Sequence, residues 1–319
     1  MRIRSCNVLV AGLLAFSGDE LHAQNRLEVE LVEPGVFSTA ASELPPTFSP
    51  DGKLAYWSVS TPSYARWIVI LQSQSVGGKW QKPAVAPFSG QWVDADPYFT
   101  EDGKRLYFLS RRPMSGTQPE RGYRIWYVER DGSGWSQPVA LPAHVNNGDM
   151  HYVAPVRSGS LYIAGIRQDS NNQGDLYRVR FANGAWGEPV NLGPVVNEPN
   201  IHDTTPYVAP DESYIIFAST RQGGVGGLDL FITFWEGDAW SKPKLLPEPI
   251  NSRVRDFCPI ASPDGKWLYF ASDRGFADAP LEARVDYAAV QRMLNSPGNS
   301  VGDVYRTSLP ALLAWARAN

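Results

Sequence analysis

The sequence repeats itself five times, and this limits the possible folds more than any other feature. One phrase runs through an acid, a small spacer, Pro or Tyr, a tight turn and an aromatic run. It reads Glu43-Leu-Pro-Pro-Thr-Phe-Ser-Pro-Asp-Gly-Lys-Leu-Ala-Tyr-Trp57 and returns as Asp94-Ala-Asp-Pro-Tyr-Phe-Thr-Glu-Asp-Gly-Lys-Arg-Leu-Tyr-Phe108. A degraded copy spans Gly148 to Ile163. Full copies follow at Asp203-Thr-Thr-Pro-Tyr-Val-Ala-Pro-Asp-Glu-Ser-Tyr-Ile-Ile-Phe217 and Asp256-Phe-Cys-Pro-Ile-Ala-Ser-Pro-Asp-Gly-Lys-Trp-Leu-Tyr-Phe270. The turn positions Pro50, Glu101, Pro155, Pro210 and Pro263 are spaced by 51, 54, 55 and 53 residues. A second phrase, Trp-x-x-Pro, closes four of the repeats at Trp80–Pro83, Trp135–Pro138, Trp186–Pro189 and Trp240–Pro243.

Asp-Gly between two short apolar runs is a hairpin signal. Each repeat therefore reads as four short strands, with the third of the type Leu176-Tyr-Arg-Val or Val304-Tyr-Arg-Thr and the fourth after the Trp. Four-stranded units at this period predict an all-β, five-bladed β-propeller. The blades are expected at about 43–90, 94–142, 148–193, 203–247 and 256–308. The fifth repeat lacks its own fourth strand. Residues 26–33, Arg-Leu-Glu-Val-Glu-Leu-Val-Glu, alternate apolar and charged as a half-exposed strand does. They are expected to complete the last blade and close the ring, removing an exposed sheet edge. The composition agrees: 28 Gly and 26 Pro supply turns, 11 Trp supply core, and 43% hydrophobic residues exclude a disordered chain.

Arg2 and Arg4, the apolar run Val8 to Phe16 and the site Leu21-His-Ala23 read as an export signal, residues 1–23, followed by a single propeller domain over 24–319. The apolar run is too short to span a bilayer, which takes about 20 residues. A periplasmic or secreted protein without a transmembrane segment is expected. Removal of the signal takes Cys6 and leaves Cys258 as the sole thiol, so no intrachain disulfide is possible. A net charge of −4 gives nucleic-acid binding no electrostatic support.

The run Ser-Pro-Asp-Gly-Lys-Trp-Leu-Tyr-Phe-Ala-Ser over 262–272 resembles TolB-type, WD-like propeller repeats of the bacterial envelope. Ser219-Thr-Arg-Gln-Gly-Gly-Val-Gly-Gly-Leu-Asp-Leu-Phe231 is similar to a stretch of envelope proteins that carry such propellers. The resemblance covers about residues 43–308. It implies a propeller with an envelope protein, peptidoglycan or a glycan as its partner, and a monomer is expected.

In a four-stranded meander the 4→1 and 2→3 connections share one face. Glu43, Asp94, Asp203 and Asp256 fall in the 4→1 connections, with Asp149 shifted by one. One reading is that each acid accepts backbone N–H bonds in its own turn; the other is a ring of carboxylates at the channel mouth. Arg111, Arg167, Arg221 and Arg274 in the 2→3 loops either pair with Asp175, Asp229 and Asp303 or form a charged rim that grips a polar ligand. The histidines break the repeat: His151 replaces a Pro, His202 precedes Asp203, and His144 lies just before blade 3. His151, His202 and Asp203 are candidate ligands of a divalent metal.

Catalytic groups should interrupt a repeat, because chemistry needs one site and symmetry supplies five. On that ground an enzyme, a lyase or hydrolase acting on a polar substrate such as an oligosaccharide, would draw either on His151, His202, Asp149 and Asp203 around a metal, or on a carboxylate pair including Asp96 and Asp256 as acid and base. No nucleophile elbow, phosphate loop or His-Glu-x-x-His helix occurs. A binding scaffold acting through the loop face at the channel mouth is the first expectation and the enzyme is the alternative. Residues 279–294 read as an amphipathic helix inserted in blade 5, a lid or partner-binding element or a helix packed on the blade. Leu309 to Trp315 reads as a short terminal helix.

Overall fold

A computed structural model describes residues 27–61, 67–170, 173–275 and 284–319. Five antiparallel meanders follow one another around a ring. Their first strands are Ser42–Glu43 with Thr47–Phe48, then Asp94–Phe99, Asp149–Pro155, Asp203–Val208 and Asp256–Ala261. Each pairs with a second strand (Leu54–Ser60, Arg105–Ser110, Leu161–Ile166, Tyr214–Ser219, Trp267–Ser272), which pairs with a third (Ile68–Val76, Arg124–Asp131, Asp175–Val179, Asp229–Phe234, Asp303–Ser308). The outermost strands are only two residues long: Ala84–Val85, Val139–Ala140, Val190–Asn191 and Lys244–Leu245. In blade 5 the outermost strand is Glu30–Leu31, so the N-terminal strand closes the ring as expected.

The second strands are buried on both faces, which explains their near-continuous apolar runs. Trp57, Phe108, Ile163, Phe217 and Phe270 occupy one repeat position and are all fully buried. Each stabilises the fold by about 1.5–3 kcal/mol through area removed from water. The Trp of the Trp-x-x-Pro phrase covers the gap to the neighbouring blade. Trp135 packs on Tyr56, Phe88 and Phe99 and donates its Nε1 hydrogen to Tyr56 Oη (2.8 Å). Trp80 packs on Phe37 and Phe48.

The first strands carry a bulge that the sequence explains. In blades 2, 4 and 5 a Pro (Pro97, Pro206, Pro259) lacks the N–H needed to continue the ladder, and the register shifts there. The residue before it takes positive φ: Asp96 (50°), Thr205 (45°) and Cys258 (52°). Blade 3 has His151 in place of the Pro; its register shift falls between Met150 and Tyr152, and Met150 keeps ordinary φ. Met150, paired with Gly165, takes the ladder position that Asp94 takes opposite Ser110, so Asp149 sits one position out of step.

Among the described residues two helices interrupt the β architecture. Helix α1 is Tyr287–Leu294, shorter than the expected 279–294. Asp286 caps it by accepting a hydrogen bond from the Ala289 N–H. The beginning of the expected segment lies outside the described residues. Helix α2, Leu309–Ala318, is longer than expected and buries Leu309, Leu312 and Ala316. The expected export signal, 1–23, also lies outside the described residues. Among the described residues no helix is long and apolar enough to cross a membrane.

Candidate functional site

The repeated acids and the arginines pair, but not as the sequence suggested. Asp94, Asp203 and Asp256 have no exposed surface, and each receives an arginine of its own blade: Arg112 Nη2 (2.8 Å), Arg221 Nη2 (2.7 Å) and Arg274 Nη2 (2.7 Å). A serine two residues before each arginine accepts its Nε–H: Ser110, Ser219 and Ser272. The same guanidiniums donate to carbonyls of the incoming loop, at Phe88, Val196 and Ile250. The result is a Ser-x-Arg staple that locks the 4→1 loop to the 2→3 loop. Asp175, Asp229 and Asp303 do not take part. They accept instead from Asn191 Nδ2 and from the N–H groups of Gly226 and Gly298.

The staple removes several expected site residues from any ligand. Arg221 and Arg274 are engaged inside their blades, and so are Asp203 and Asp256. Asp203 therefore does not join the histidines as a metal ligand, and Asp256 does not pair with Asp96. Arg167 donates to the Val145 and His144 carbonyls (3.0 and 3.3 Å), and His144 Nε2 bonds the Trp186 carbonyl (3.1 Å), away from the other histidines. Among the described residues no three His, Cys, Asp or Glu side chains gather as a metal-ligand set.

Blade 2 has tandem arginines, and its staple uses Arg112. Arg111 is left over and lies with its guanidinium 4.6 Å from the Tyr123 ring centroid, its buried Nε without a hydrogen-bond partner. The Tyr123 N–H donates to Asp149 Oδ1 (2.7 Å), and His151 Nε2 stands 3.8 Å from Asp149 Oδ2. The His151 and His202 rings meet edge to face at 5.7 Å between centroids. His202 Nδ1 bonds the Gln173 carbonyl. Gly174 permits this approach: a Cβ there would come within 2.9 Å of His202 Nδ1, and its φ is +94°. Arg111, Tyr123, Asp149, His151 and His202 are thus brought together, whereas His144 is not.

Charge separates the carboxyl groups around this cluster. Burial works to raise the Asp149 carboxyl, but His151, the Tyr123 N–H and Arg111 outweigh it and hold it below the ordinary value. Asp96 keeps some contact with solvent, yet protein surrounds it, and that burial pushes its carboxyl up to about 7. Its backbone N–H donates to Ser58 Oγ of blade 1 (2.9 Å). The charge of Asp96 is felt at Tyr123, pushed up to about 12 chiefly by burial, and at Cys258 and Tyr152, both raised chiefly by burial. One carboxylate is held ionised while a second is poised to carry a proton near neutrality, a pattern that can supply a base and an acid. Tyr123 and Arg112 escaped the sequence reading. The shared Ser-x-Arg spacing of Ser110–Arg112, Ser219–Arg221 and Ser272–Arg274 was the available signal for Arg112; Tyr123 had none.

With five four-stranded blades around a channel, the protein is of the β-propeller class. No family model matches the chain, and no curated protein matches it. Solved structures do match in fold. A protein of unknown function from Dyadobacter fermentans is similar at 14% identity over 88% of this chain and 98% of its own, with TM-score 0.50. An α-L-arabinofuranosidase from Lactobacillus brevis is similar at 15% identity over 85% and 91%, with TM-score 0.50. TolB from Acinetobacter baumannii matches at 15% identity over 84% of this chain, with TM-score 0.49; the chain spans about half of its length, 54%. At these identities the likeness is one of fold.

Proposed function

We propose that this protein is an exported propeller, a single domain over 24–319 after loss of 1–23, that binds a polar envelope partner at the channel mouth. Peptidoglycan or another glycan is the partner the site suits best, because donors and acceptors alternate there around an aromatic ring. The observation that carries this reading is the convergence of Arg111, Tyr123, Asp149, His151 and His202, all outside the repeat, while the repeated Asp and Arg residues are engaged with one another. A periplasmic or secreted location follows from the export signal.

A hydrolase or lyase is the second reading, favoured by Asp96 and Asp149 with their titrations driven apart. One experiment serves both. Insoluble peptidoglycan is incubated with the purified protein, and the sedimented protein and the released soluble fragments are measured. Binding that falls about tenfold in Arg111→Ala/Asp149→Ala, without fragment release, is the expected result. Fragment release that Asp96→Asn abolishes would move the assignment to the enzyme. Equal sedimentation of the wild type and the double variant would sink the channel-mouth site.

A further inference from the structure

A second built groove lies on the flank between blades 3 and 4, at the end of the blades carrying the 1→2 turns, away from the channel mouth. Its cavity of about 810 Å³ is within the range of ligand sites. Tyr162, Arg178, Val190, Glu212, Trp235 and Trp240 line it.

Glu212 draws attention first because it breaks the turn rule. The equivalent residues are Gly52, Gly103, Gly159 and Gly265, at φ 67°, 66°, 80° and 68°. Blade 4 places a glutamate there, at φ 60°. A left-handed backbone is strained for any residue with a Cβ, and such strain persists where something else requires the side chain. The Glu212 carboxylate accepts from Arg178 Nε (2.7 Å) and Nη2 (3.1 Å), from Tyr162 Oη (2.8 Å) and from Ser158 Oγ (2.9 Å). Burial opposes its ionisation, but Arg178, Tyr162 and Ser158 prevail and hold it below the ordinary value.

Above this network stand two indoles. Trp235 and Trp240 meet at 5.1 Å with their planes 68° apart, and Trp240 meets Tyr162 edge-on at 6.4 Å. The contrast with blade 2 is informative: Trp135 is closed in by Tyr56, Phe88 and Phe99 and its Nε1 hydrogen is taken up. Trp235 is 45% exposed, and Val190, beside it, is 64% exposed. An aromatic wall rimmed by fixed donors and acceptors is the arrangement that holds a sugar ring, apolar face to indole and hydroxyls to the rim.

Charge and topology select among occupants. Arg178 and Glu212 neutralise each other, and Arg180, Asp211 and Asp238 leave the lining with a net charge of only −1, which turns anionic ligands away. The sheet edge beside it is the two-residue strand Val190–Asn191, too short to take up an added peptide strand. We propose that this groove binds a neutral oligosaccharide, with Trp235 and Trp240 as the stacking platform and the Glu212–Arg178–Tyr162 network as the hydroxyl partner.

The test is tryptophan fluorescence of the purified protein titrated with neutral fragments of β-glucan, xylan, galactan and chitin, four to six units long. At least one should bind with a dissociation constant below about 1 mM. Trp235→Ala, at an exposed site, should weaken it by about tenfold or more without shifting the unfolding temperature. Glu212→Gly should weaken it similarly while the chain stays folded, since the relief that glycine gives the turn offsets part of the lost Arg178 and Tyr162 contacts. His151→Ala/His202→Ala should leave it unchanged, separating this groove from the channel mouth. No binding by any fragment, undiminished binding in Trp235→Ala, or loss in the histidine variant would each overturn the proposal. So would a peptide that binds in a Trp235-dependent way and displaces the sugar.

Discussion

Arg221 and Asp203 are both out of water, and each is tolerated there only because of the other. Removing one member of such a pair leaves an uncompensated buried charge, at about 3–5 kcal/mol. Arg221→Ala should therefore lower the urea midpoint steeply. His151→Ala, at the partly open channel mouth, should move it by no more than about 0.5 kcal/mol. Equal losses would mean that the histidines are structural too. Glu43, the acid of blade 1, has no arginine among its described partners; the Thr39 N–H and hydroxyl donate to it. Burial, with a further push from Asp303, raises it to about 8 from an ordinary 4.5. Between those values the folded chain keeps a proton that the unfolded chain has released, so stability falls as pH rises from about 4.5 to about 8. Glu43→Gln keeps the Thr39 contacts and removes that titration. It should match the wild type near pH 4 and exceed it on the order of 4 kcal/mol by pH 8, read from urea midpoints against pH. The acids were legible in the sequence because they recur. Their partners were not, because spacing along a chain does not show which of two acids in a blade faces the arginine.

At the scale of elements, the strands could be read because the same turn and the same aromatic run return five times. One repeated device was still missed. Asn146, Asn197 and Asn251 each accept the N–H and donate to the carbonyl of a third-strand residue, at Ile125, Leu176 and Leu230. Their phrase varies from Pro-Ala-His-Val-Asn146 to Pro-Glu-Pro-Ile-Asn251, and it sits in loops where asparagine is unremarked. Helix α1 was legible in kind but not in extent, because a lone helix has no second copy to fix its boundaries. None of its residues is buried, and Tyr287 is 75% exposed. An eight-residue helix without tertiary burial is marginal in water. Amides of residues 290–294 should accordingly exchange within about a hundredfold of the unfolded rate, while those of Phe270 to Ser272 wait for global unfolding. Asp286→Ala should erase the residual protection of α1, by loss of its cap, and leave the global transition in place. Protection of α1 equal to that of the strands would show that it packs on something.

The whole molecule depends on a seam between the two ends of the described chain. Glu30 and Leu31 pair with Arg306 and Tyr305, the Val32 N–H donates to the Val304 carbonyl (2.9 Å), and Arg306 bridges Glu30 (2.8 Å). Ser38 Oγ then donates to the Val304 carbonyl and accepts the Val304 N–H, and Glu43 N donates to the Gly302 carbonyl. Leu27 and Val32 are buried beside them. Without this segment the third strand of blade 5, Asp303–Ser308, becomes an open edge, and open edges pair with other chains. Deleting residues 24–34 should replace a single sharp unfolding transition with a broad one and drive association, visible by light scattering. Val32→Pro is the graded version: it removes one ladder donor at a buried position and should cost about 3 kcal/mol while the chain stays monomeric. If the deletion variant remained monomeric and unfolded sharply, the first-strand contacts between neighbouring blades would alone hold the ring, and the N-terminal strand would be a cover instead of a closure.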